Sequence, residues 1–119
     1  MADSVKLRVT GPPEQVGQVL EQALQPEGFR FAWSNPQDAI LEKGTFAKAL
    51  LLGAFSPHFK YRLLLHPQQD GTVIVDIGLA NTGLVGGAIG VARVRKGLDG
   101  VGEVLNHTFQ QNGTFVGAV

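Results

Sequence analysis

The sequence predicts an α+β domain, an antiparallel sheet with helices packed on one face, and three observations carry that prediction. Short segments alternate apolar and polar residues with the period of two that marks half-buried strands. One early segment repeats apolar residues at helical spacing, and so does a long stretch near the C-terminus. The resulting order, β-α-β-β-β-β-α, has no internal repeat or long linker and fits one domain over residues 1–119.

Val5, Leu7 and Val9 alternate with Lys6, Arg8 and Thr10, giving the first strand, which Gly11-Pro12-Pro13 interrupts. Val16, Val19, Leu20, Ala23 and Leu24 then follow at helical spacing. Glu14 lies near the positive helix start and Gly28 is placed to stop the helix. Phe29, Phe31 and Trp33 alternate with Arg30 and Ala32 as a second strand ending in the turn residues Ser34 to Asp38. A third strand from Ala39 to Lys43 pairs back on it.

Phe59 to His66 and Thr72 to Leu79 form a hairpin around Pro67 to Gly71, where Asp70-Gly71 supplies turn residues. A register pairing Tyr61 with Ile77 and Leu63 with Val75 puts the apolar residues on one face and sets Arg62 opposite Asp76. From Leu84 to Phe109 the apolar residues advance by three or four, predicting a long C-terminal helix. Its six glycines between Gly86 and Gly102 cost roughly 1 kcal/mol each in a helix interior, so that helix depends on tertiary packing. The chain closes with Asn112-Gly113 and a small apolar tail. This element order resembles the TATA-binding-protein-like fold and the helix-grip fold. The resemblance implies a long helix lying across a curved sheet.

Composition narrows the function classes. The 119 residues contain no cysteine and 44% hydrophobic residues, enough for one core without disulfides and with no thiolate chemistry. The N-terminal residues Met1 to Ser4 lead directly into an alternating segment, so a cytoplasmic location is the expectation. Net charge is zero, which argues against nucleic-acid binding, although residues 43–98 hold seven bases and two acids. The glycine content, 16 of 119, exceeds the usual share of about 7% and crowds into residues 78–102.

No catalytic constellation stands out, and neither a cofactor nor a metal is expected. His58, His66 and His107 lack helical metal-site spacing, and the serines lack a nucleophile elbow. The run from Gly83 to Gly90 follows a strand, but it lacks the Gly-Lys-Ser/Thr of a phosphate loop, and Val85 takes the first glycine position of a dinucleotide fingerprint.

Three surfaces remain as candidates. Residues Thr45 to Phe59 form an apolar run too short to span a bilayer, readable as a core helix or as a ligand-lining segment. Under the ligand reading, Phe46, Leu50, Phe55, Tyr61, Val91 and Leu98 line an apolar cleft between sheet and C-terminal helix, open to a small hydrophobic ligand or lipid. Lys43, Lys48, Lys60 and Arg62 flank the run and suit anionic headgroups in a peripheral membrane contact. Gly86, Gly90, Gly97 and Gly100, with Arg93, cluster on the helix roughly 120° from its apolar stripe, where a homo-oligomer partner could approach closely.

Overall fold

In a computed structural model, residues 4–43, 59–79 and 87–119 are described. The elements are β1 (Ser4–Thr10), α1 (Pro13–Leu24), β2 (Arg30–Asn35), β3 (Asp38–Lys43), β4 (Phe59–Pro67), β5 (Thr72–Leu79), α2 (Gly87–Asn112) and β6 (Phe115–Ala118). The strands form one six-stranded sheet in the order β2-β3-β4-β5-β1-β6, every neighbouring pair antiparallel. The fold is the α+β arrangement that the periodicities predict.

Alternation decides what each strand buries. Leu7 and Val9 of β1, Ala39 and Leu41 of β3, Tyr61, Leu63 and Leu65 of β4, and Val73, Val75 and Ile77 of β5 all enter one core. Leu98, Val101, Leu105 and Phe109 of α2 close over it, and Val16, Leu20 and Leu24 of α1 complete it. The spacing of those α2 residues is the 3.6-residue stripe read from the sequence, and burial of this stripe offsets the glycine cost.

Both helices stop by the same device. At the end of α1 the Gly28 N–H donates to the Gln25 carbonyl and the Phe29 N–H to the Leu24 carbonyl, with Gly28 at φ +97°. At the end of α2, Gly113 and Thr114 donate to the Gln110 and Phe109 carbonyls, with Gly113 at φ +72°. These paired bonds satisfy the last helical carbonyls, and the left-handed backbone between them favours glycine.

Two details depart from the sequence reading. The β4–β5 register pairs Leu63 with Ile77 and Leu65 with Val75, so Arg62 lies opposite Gly78 and Asp76 opposite Leu64. The expected Arg62–Asp76 pair is therefore replaced by Arg62–Asp38 at 3.1 Å and by His66–Asp76 at 3.7 Å. The cause lies in the turn. Asp70 Oδ1 accepts from the Thr72 N–H at 3.1 Å and its hydroxyl at 2.6 Å, and the Gln68 N–H donates to the Thr72 carbonyl at 2.8 Å. The hairpin thus closes around Gln69-Asp70-Gly71, a three-residue loop with its glycine at positive φ. Because the difference is two residues, each side chain keeps its expected face.

The second departure is β6. After the Gly113 cap the tail returns along β1, with Arg8 opposite Gly117 and Val9 opposite Phe115, and becomes an edge strand. Four residues with a glycine and an alanine are too little alternation to read from the sequence.

Candidate functional site

The glycine cap of α1 builds a mainly apolar hollow at one corner of the sheet. Capping carries the chain straight from Leu24 at the helix end to Phe29, which precedes β2, so two large apolar side chains meet at one corner of the sheet. Lys43 at the end of β3 comes beside them, its stem crossing Gly28 so closely that a Cβ there would lie 3.4 Å from Lys43 Cε. Its ammonium stands 5.6 Å from the centroid of the Phe29 ring, within reach of a cation–π attraction. Across from this corner α2 presents Gly97, Gly100, Val101 and Val104.

Together these residues, with Glu27 at the rim, enclose a half-open cleft of about 220 Å³. It lies between α1, one corner of the sheet and α2. Gly100 borders its open space, since a Cβ on that residue would meet nothing within 4 Å. By contrast Gly102, half a turn away, is where α2 rests on the sheet: a Cβ there would lie 3.3 Å from both γ-methyls of Val5. One helix therefore carries one glycine for close packing and another beside open space.

Tyr61 and Leu98 are fully buried next to this corner rather than on its surface, and the Tyr61 ring packs 5.9 Å from that of Phe29. Burial, reinforced by the charge of Asp99, pushes the Tyr61 hydroxyl well above the usual tyrosine range. Phe46, Leu50, Phe55, Lys48 and Gly86 lie outside the described residues. Val91, Gly90 and Arg93 fall on the backbone of α2, their side chains being outside the described part, and Gly97 lines the cleft.

Of the bases expected to form one anionic-headgroup surface, the three among the described residues do not share a face. Lys43 turns to the cleft side, whereas Lys60 and Arg62 alternate onto the opposite face of the sheet, where Arg62 pairs with Asp38. That face carries further ion pairs, Arg30–Glu42 at 3.3 Å and Arg8–Asp70 at 3.5 Å. Exposed pairs of this kind contribute roughly 0–1 kcal/mol each.

Sequence reasoning missed Leu24, Phe29, Val101 and Val104 as lining residues, and read Gly100 only as part of the glycine stripe. The available signal was local: Gly28 as a helix stop places the residues four before and one after it in contact. A larger hollow of about 410 Å³, between the start of α1 and the end of α2, mixes Thr10, Gln15, Asn112 and Thr114 with Val16 and Phe109. Among the described residues no group of three histidine or acidic side chains is placed to hold a metal ion, and no helix is long and apolar enough to cross a membrane. A scan against protein-family models finds no match to this chain, and no curated protein matches it.

Proposed function

We propose that the protein is a non-enzymatic binding module that takes a small, mainly apolar ligand in the cleft between α1, the sheet corner and α2. The observation that supports this reading is the cleft itself, about 220 Å³ walled by Leu24, Phe29, Val101 and Val104. An apolar cavity of about 150 Å³ suffices to hold benzene, so an aromatic ring or short alkyl chain is the size class that fits. Drug-sized sites begin near roughly 300 Å³, which argues for a small ligand or for one end of a longer chain such as a lipid. Lys43, with Glu27 at the rim, gives the apolar walls the few polar handles that binding clefts of this type carry.

Native mass spectrometry with indole added tests the proposal. A one-to-one adduct that vanishes on denaturation, and that Gly100→Leu abolishes, is the expected result. No adduct with either protein overturns it. A second reading rests on the open space beside Gly97 and Gly100, into which a helix of a second copy would pack. A ligand-free dimer in the same spectra, lost in Gly100→Leu, favours that reading instead.

A further inference from the structure

Near the start of α1 a separate cleft of about 200 Å³ is lined by Pro13, Glu14, Gly17, Gln18, Glu21, Trp33 and Pro36. Glu14, Gly17 and Glu21 recur at intervals of three and four and so share one face of the helix. Gly17 decides how closely that face meets the sheet. A Cβ there would lie 3.2 Å from Cη2 of Trp33, so the indole rests directly against the helix backbone. Its orientation is fixed twice over. The indole N–H donates to Oε1 of Glu21, and the Phe31 ring stacks on it with centroids 6.0 Å apart and planes 25° from parallel.

The side-chain charge of this cleft is one-sided, and Glu14 and Glu21 outweigh the partial positive charge of the helix start. α1 contains no lysine or arginine, no base lines the cleft, and among the described residues neither Glu14 nor Glu21 is in an ion pair. Two carboxylates, one carboxamide, an indole and two pyrrolidine rings still make a poor site for a hard metal cation, which demands six or more oxygen ligands. They match a cation whose surface is apolar and whose charge is weakly hydrated, because the indole face attracts it electrostatically and the prolines cover its methyl groups. We propose that this cleft binds a small organic cation bearing an alkylated ammonium group. The site is independent of the apolar cleft at the other end of α1.

Trp33 is the sole tryptophan of the chain, so its fluorescence reports on this site alone. The experiment titrates the whole protein with choline chloride at constant ionic strength. A parallel titration uses the neutral dimethylbutanol isostere, in which carbon replaces the quaternary nitrogen. A saturable change with choline and none with the isostere is expected. Glu14→Gln and Glu21→Gln should each weaken choline binding about fivefold, as loss of one charge partner at the surface implies. Glu14 is exposed, so Glu14→Gln tests the charge without disturbing the Trp33 contact. An equal response to the isostere, a response that sodium chloride reproduces, or an unchanged affinity in Glu14→Gln overturns the proposal.

Discussion

Gly100 and Gly102 provide a matched pair of perturbations, because both occupy the interior of α2 and alanine at either position gains the same helix propensity. That gain is about 0.8–1 kcal/mol. At Gly100 the added methyl enters open space, so the full gain should appear as stability. At Gly102 the methyl arrives 3.3 Å from both γ-methyls of Val5, whose backbone is held in β1 opposite Ile77, and the resulting overpacking offsets the gain. Gly100→Ala is therefore expected to be about 1 kcal/mol more stable than the parent, a rise of roughly 3–5 °C in Tm for a domain of this size. Gly102→Ala should be neutral or destabilised. Urea unfolding followed by far-ultraviolet circular dichroism measures both differences. A Gly102→Ala protein as stable as Gly100→Ala, or a destabilised Gly100→Ala, would refute the assignment of one glycine to packing and the other to the cleft wall. The stabilised Gly100→Ala protein should also bind indole more weakly, since its methyl narrows the cleft.

Tyr61 is the only tyrosine, so ultraviolet absorbance isolates its ionisation. Its hydroxyl is held neutral by burial and by Asp99, so that stabilisation is complete below pH about 10 and is lost as pH rises further; tyrosinate should appear only together with alkaline unfolding. Asp70 is displaced the other way, held below the usual carboxylate range by the Thr72 hydroxyl and N–H. Its contribution is present above pH about 4 and lost as pH falls, and Asp70→Asn should flatten the acid limb of a stability-versus-pH curve. Leu105→Ala removes a fully buried side chain beneath α2 and should cost about 2–5 kcal/mol in denaturant unfolding. Gly28→Ala forces a side chain onto φ +97° and against the Lys43 stem, so a loss of at least about 1 kcal/mol is expected, together with a change at the cleft mouth.

The sheet and both helices were legible because their signals are local: alternation in β1, β4 and β5, and the stripe Leu98, Val101, Leu105 and Phe109 in α2. The faces of the hairpin were legible for the same reason, while its register was not. Asp70 and Thr72 set that register through side-chain bonds that alternation does not encode. Strand β6 escaped because its pairing is bought by the distant β1 rather than by its own four residues. The apolar cleft beside α1 was not legible: none of the residues read from the sequence as lining a cleft lines this one. Leu24 and Phe29 meet through a helix cap, and they meet Val101 and Val104 only through packing between helices. The Trp33 cleft was not legible either. Trp33 falls in phase with the core-facing residues Phe29 and Phe31, and only the missing Cβ of Gly17 and the carboxylate of Glu21 make it part of a surface site.

The central claim, that the cleft between α1, the sheet corner and α2 receives a small apolar ligand, is tested most directly by methyl carbon–proton spectra during an indole titration. Saturable shifts confined to Leu24, Val101 and Val104, with Ile74 on the opposite face of the sheet unchanged, are the predicted result. Shifts spread evenly over both faces, or none at saturating indole, would contradict the claim.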